Sequence, residues 1–304
     1  MSTNFAEIGQ RLKAYRLGLG LSADIIAERI GISRAAVYRI EAGDVIKIET
    51  LERLATVLGT SVASLLGAGV EYYSSSISYF ERMRQIEEQS DQVVAHFPPI
   101  SYLLTSDEYA AFLKKTLIES LPRHLESRRK AEAEIDTVIS ILDDRKKARR
   151  ARGLSVVNFV NVPEIERWLK IGVVGRFNLP SDELARRRLA ARNEVEHLML
   201  LIETEPMGIQ IGLIEETLPN LTFQLFRGPK GTLLGLSPFR LGGELPNLRT
   251  GIAMLTGDEQ PVRLYEELAR NLWKRAYKGH RAIALLRSAV QRSGIALTKV
   301  RKVS

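Results

Sequence analysis

The chain has 304 residues, 45% of them hydrophobic and 26% charged, with no cysteine and a formal net charge of +8. That length accommodates two domains, each with its own core. The absence of cysteine excludes a disulfide framework, a thiolate metal site and a thiol nucleophile. No apolar run approaches the roughly 18–20 residues of a membrane span. The opening "MSTNFAEIGQRLKAYR" lacks a signal-peptide core, so a cytoplasmic protein is expected.

Five short helices are predicted in the first 67 residues, each with its own punctuation. The first runs from about Phe5 to Leu19, with Ile8, Leu12 and Tyr15 on one face. Ser22 is positioned to cap a second helix that stops at Gly31, and Ser33 to cap a third that Gly43 ends. Thr50 and Ser61 are the expected caps of a fourth and a fifth. The turn Gly31-Ile32-Ser33 is so short that the second and third helices must meet at a steep angle, and Ala27 is small where they cross. Val37 and Ile40 point inward at helical spacing. Arg34, Ala35, Tyr38 and Arg39 then face outward, a set of residue types suited to base edges and phosphates.

In "RLKAYRLGLGLS", "IAERIGIS", "VYRIEAG" and "TLERLATVLGTSVASLL", residues 9–66 resemble the Cro/C1-type helix-turn-helix family, also called the XRE family. The resemblance implies an all-α, five-helix, lambda-repressor-like DNA-binding domain over residues 1–67. Ser33–Ala42 would be the recognition helix, and Ser33, Arg34, Ala35, Tyr38, Arg39 and Lys47 the DNA-binding residues. Arg16 and Glu41 match a family pair that forms a structural salt bridge. One position departs from the pattern: Ala23 stands where the family often has a phosphate-contacting Gln. With eight Lys/Arg against seven Asp/Glu, residues 1–67 are nearly neutral. A single copy should therefore bind weakly, and a dimer reading two half-sites of a double-stranded operator is expected.

Residues 68–98 are expected to be a hinge and a linker helix. "LGAGVEYYSSS" carries the hinge composition, and 77–95 return to helical spacing in Ile77, Phe80, Met83 and Ile86. That stripe suits a dimer seam or packing on its own domain equally well. Residues 99–304 form a second, α+β (or α/β) domain. A helix opens with a Thr105–Glu108 capping box, and a long charged helix spans 123–150. "LSVVNFV", "IQIGL", "LTFQLF", "TLLGLSPFRL" and "GIAMLTG" are candidate strands, with "LPN" as the turn between the second and third. "EVEHLMLLIE", "YEELARNLWKRAY" and a stretch ending near Arg292 return to helix; Tyr265, Leu268, Leu272, Trp273 and Ala276 share a face. Six of the eight residues Arg145–Arg152 are basic, either a solvated helix end or a nucleic-acid contact. "YLLTSDEYAAFL", "EVEHLMLLIE" before "LPNLTFQLF", and "LGLSPFRL" resemble the large effector domain that follows this helix-turn-helix in many bacterial regulators. That likeness implies sensing or dimerisation by an unnamed small-molecule or protein effector.

Catalytic arrangements are missing from the sequence. His96, His124, His197 and His280 are scattered, no phosphate-binding loop motif occurs, and "RGPKGTLLG" fits a hairpin turn. No cofactor and no metal are expected. Ala68-Gly69 occupies the place of a self-cleavage site in phage repressors, but the serine-nucleophile strand that such chemistry needs is absent. The expectation is a dimeric transcriptional regulator and not an enzyme. The alternative is an antitoxin-like, partner-binding protein whose DNA binding is autoregulatory.

Overall fold

The computed structural model describes residues 4–125, 127–218, 221–242 and 245–294. Five helices come first: α1 (Phe5–Gly18), α2 (Ala23–Ile30), α3 (Arg34–Ala42), α4 (Ile48–Leu58) and α5 (Val62–Leu66). Ser22, Ser33 and Ser61 each accept a hydrogen bond from an amide in the first turn of the helix they cap. Thr50 does not act as a cap. Its amide donates to the Lys47 carbonyl inside a helix that has already begun at Ile48.

The larger domain is built on one seven-stranded mixed sheet, in the order β1 (Val70–Tyr73), β7 (Ala253–Thr256), β6 (Gly231–Ser237), β5 (Thr222–Gly228), β2 (Gln92–His96), β3 (Ser155–Asn161), β4 (Ile209–Ile214). β2, β3 and β4 are parallel neighbours, and every other pairing is antiparallel. Parallel pairing demands crossovers. The chain supplies them with α7 (Tyr109–Glu119) and α8 (Arg128–Arg152) between β2 and β3, then α9 (Val162–Ile171) and α10 (Ser181–Thr204) between β3 and β4. Both sheet faces are covered, so β3 is buried along nearly its whole length. Val157 and Phe159 pack with Leu272 and Ala276 near the end of α11 (Glu259–Arg275). Val156 and Val160 join the main core with α6 (Ser76–Glu87), α7–α10 and α12 (Gly279–Arg292).

Several expectations change. The proposed hinge is a strand: Val70–Tyr73 pairs with β7, because the alternation of "VEYY" turns Glu71 and Tyr73 into the core. The end of the helix expected over 77–95 is instead part of an interior strand, Gln92–His96. Ile77, Phe80, Met83 and Ile86 are buried within their own chain, between α1, α8 and the sheet, and form no exposed seam. The Thr105–Glu108 box does not form, since the Thr105 hydroxyl donates to the Tyr102 carbonyl and Glu108 is itself the cap residue. β4 and β5, consecutive in sequence, lie three places apart because β2 and β3 intervene. Two residues of the expected "LPN" turn, 219 and 220, fall outside the described residues. Leu268 is exposed, and Ala276 follows α11 as extended backbone.

The basic run at the end of α8 is mostly spent inside the protein. Arg145 forms a buried bidentate pair with Glu87 on α6, at 2.9 and 2.7 Å. Lys146 donates to the Ser106 carbonyl, Arg150 pairs with Asp107, and Arg152 reaches the Glu87 carbonyl. With these four groups bound internally, the run does not present a phosphate-binding stripe.

The two domains meet along α1. Arg11 on α1 donates to Glu71 on β1 at 2.5 Å, and Arg82 on α6 donates to both oxygens of the same carboxylate at 3.0 and 3.2 Å. The Tyr73 hydroxyl completes the shell at 2.6 Å. Tyr15 stacks on Tyr73 with centroids 4.8 Å apart and donates to the Tyr72 carbonyl. Burial raises the Glu71 pKa, but the Arg82 and Arg11 guanidiniums outweigh it and hold the group at about 2. A depressed folded-state pKa stabilises the fold above the unfolded value of 4.5, and that stability is lost as pH falls toward about 2. Lowering the pH through this window should remove up to about 3 kcal/mol in the native chain. Glu71→Gln should lower stability at neutral pH by about 3–5 kcal/mol, by leaving buried guanidiniums unpaired, and should flatten the acid limb. Denaturant titrations of both proteins across this pH range check the expectation; parallel curves would contradict it.

Candidate nucleic-acid interface

The exposed unit is the α2–turn–α3 pair. Gly31 closes α2 in the left-handed region, at φ 69°, a conformation open to glycine at little cost. The Ile32 amide returns to the Ala27 carbonyl, and Ser33 Oγ accepts from the Ala36 amide at 3.1 Å. These bonds fix the angle at which α3 leaves α2. Val37 is the one fully buried residue of α3. Arg34, Ala35, Tyr38 and Arg39 are all exposed, as is the capping residue Ser33.

The inner side of α3 is held rigidly. Arg16 forks onto Glu41, Nε to Oε1 at 2.5 Å and Nη2 to Oε2 at 2.9 Å, and its third nitrogen donates to the Leu21 carbonyl. Both side chains are about nine-tenths buried. Gly9 allows α1 to lie directly on α3, since a Cβ there would come within 2.4 Å of the Ile40 carbonyl oxygen. The larger domain packs on α1 and α5 and leaves the outer face of α3 open.

Within that face, Arg34 lies over the Tyr38 ring at 5.5 Å, and the Tyr38 hydroxyl accepts a hydrogen bond from its guanidinium at 3.4 Å. Such stacking keeps a long cation extended and lowers the entropy lost when it grips a partner. Lys47 is exposed just before α4, between exposed Val45 and Ile48. Ala23 is buried at the start of α2 and offers nothing to a phosphate.

Two residues missed by sequence reasoning share the site. Asp24 lies 3.4 Å from Arg34, and Asp44 lies 3.7 Å from Arg39. All four side chains are more than half exposed, so each pair contributes little stability. Asp44 is near Arg39 in sequence and detectable there; the Asp24–Arg34 pair depends on the angle between two helices. Against a polyanion the two carboxylates oppose what the arginines favour. Asp24→Asn with Asp44→Asn should raise DNA affinity several-fold at low salt, with a gain that shrinks as salt rises. Thermal stability should move by less than about 1 kcal/mol. Fluorescence anisotropy over a salt series checks this, and unchanged affinity would remove the aspartates from the site.

Four isolated histidines lie elsewhere. His96 is buried beside the Phe159 carbonyl, and burial lowers the pKa of His197.

Residues 7–66 match the family model of a helix-turn-helix domain. No curated protein and no solved structure matches the chain. The chain thus carries a helix-turn-helix domain, α1–α5, whose fold suggests DNA binding, followed by a larger domain with a mixed seven-stranded sheet.

Proposed function

We propose that the chain is a sequence-specific transcriptional regulator of the Cro/C1 (XRE) type, cytoplasmic and without enzymatic activity, that acts as a dimer on double-stranded DNA. The observation that carries this reading is α3 itself. Its inner side is locked by Arg16–Glu41, while Arg34, Ala35, Tyr38 and Arg39 stay open to solvent in the full chain. Rigid backing with free long donors is what base readout requires. In this reading Arg34, Ala35 and Arg39 face base edges, Tyr38 lies along the backbone, and Ser33 and Lys47 contact phosphates. The surface carries few unopposed cations, so one copy has modest electrostatic affinity, and pairing two half-sites supplies the rest. The larger domain would dimerise and sense an effector. Binding that favours one arrangement of that domain would shift the population whose recognition helices match the half-site spacing.

The test is genome-wide occupancy of the native protein beside Arg34→Ala/Arg39→Ala. A small set of inverted-repeat sites, lost in the double variant, is the expected result. Each arginine should account for about 1–3 kcal/mol of discrimination. The thermal midpoint should hold, since both side chains are exposed. Occupancy that is diffuse and indifferent to the substitutions would overturn the assignment.

A further inference from the structure

Where the two domains meet, the structure contains a cleft of about 390 Å³, within the size range of small-molecule sites. Gly18, the last residue of α1, forms one edge, and Ser74–Ser76 lead into the N-terminus of α6 beside it. α7, the turn after it and α8 provide an apolar floor in Leu117, Leu121, Ile135 and Val138, continued by Ile77. The segment 246–250 closes the far side and brings Arg249 to the rim.

Three features of this wall are unusual for unoccupied protein surface. First, Ser76 lines the cleft, is only 6% exposed, and its hydroxyl makes no hydrogen bond among the described residues. A hydroxyl that opens on the cleft and spends no hydrogen bond on the protein is available to a ligand acceptor. Second, α6 has twelve residues, no acidic residue in its first turn and only a long cap, from the Ser78 amide to Ser75 Oγ at 3.5 Å. Its positive end is therefore weakly compensated. Third, Arg249 is exposed at the rim and pairs with no carboxylate among the described residues. Hydroxyl, helix end and guanidinium all favour negative charge, and they sit at the mouth of an apolar trough.

We propose that this cleft is a binding site for a small amphiphilic anion, its apolar body on the α7–α8 floor and its charged group held by the N-terminus of α6, Ser76 and Arg249. Glu134 on the α8 wall forms no ion pair among the described residues, and it confines the anionic group to the α6 side. The site borders the contact on which the DNA-binding unit is mounted. Gly18 lies so close to α6 that an added Cβ would overlap Ser78 Oγ, at 1.6 Å. A ligand here would bear on the α1–α6 packing. That it serves as the regulator's signal rests on the reading in the previous subsection; that it binds does not.

The probe is 1-anilinonaphthalene-8-sulfonate, an apolar ring system with one sulfonate, titrated into the full chain and followed by its fluorescence. Saturable binding of one probe per chain is expected. Arg249→Glu, on an exposed segment, should weaken it by about tenfold or more. Glu134→Gln should strengthen it, and Ala131→Phe, which fills the floor, should abolish it. Circular dichroism confirms that each variant is folded, and Arg249→Glu carries the test if Ala131→Phe is not. The Arg34→Ala/Arg39→Ala variant should bind the probe like the native chain, so a failure of the DNA-binding reading leaves this result standing. Binding unaffected by Arg249→Glu, or strengthened by it, would overturn the proposal.

Discussion

A single carboxylate organises the junction between the two halves of this protein. Glu71 sits on an edge strand, is almost wholly buried, and receives donors from three separate elements: Arg11 on α1, Arg82 on α6 and Tyr73 on its own strand. An ion that has lost its water tolerates few rearrangements, because every displacement leaves some charge unpaired in low dielectric. The position of α1 against α6 is fixed accordingly, and α1 in turn fixes α3 through Arg16 and Glu41. From strand edge to α3, the connection runs through guanidinium–carboxylate pairs laid along one helix.

The cations divide into those paired tightly in the interior and those paired loosely at the surface. Arg11, Arg16, Arg82 and Arg145 are buried and matched to carboxylates with tight geometry. Arg34 and Arg39 are exposed and held only loosely by their aspartates. The +8 formal charge therefore says little about where a polyanion would touch the protein. What matters is which side chains are free to change partner, and on the helix-turn-helix they cluster on one face.

The helix-turn-helix was legible because its determinants are local. Serine caps at 22, 33 and 61 and glycine stops at 31 and 43 act within a few residues, and the inward spacing of Val37 follows from helical geometry. The larger domain was legible only in outline. "VEYYSSS" combined strand and linker composition, and what makes it a strand is β7, far along the chain. Val93 and Val94 carried no signal that placed them in the sheet interior, since their neighbours β3 and β5 lie far away in sequence. The Arg145–Arg152 run shows the same limit: its partners Glu87 and Asp107 are on other elements, so an intramolecular ion-pair seam, buried at Arg145 and exposed at Arg150, and a basic surface are indistinguishable in one dimension. The site aspartates were overlooked for a related reason, because attention to donors leaves out the acids that hold them.

The placement of β1 also bears on the order in which the molecule is completed. As the edge strand, it has β7 as its single ladder neighbour among the described residues, and β7 belongs to the last fifth of the chain. During synthesis the five helices α1–α5 emerge before any strand of the sheet. The strand carrying Glu71 follows at once but has nothing to pair with until nearly everything else has been made. Until then Arg11 and Glu71 are solvated, where an ion pair contributes little. The mount beneath α1 therefore closes only after β7 has been made. In sequence order the edge strand is thus the first strand made and the last to gain its ladder neighbour, so the contact that mounts α1 depends on a segment nearly two hundred residues downstream.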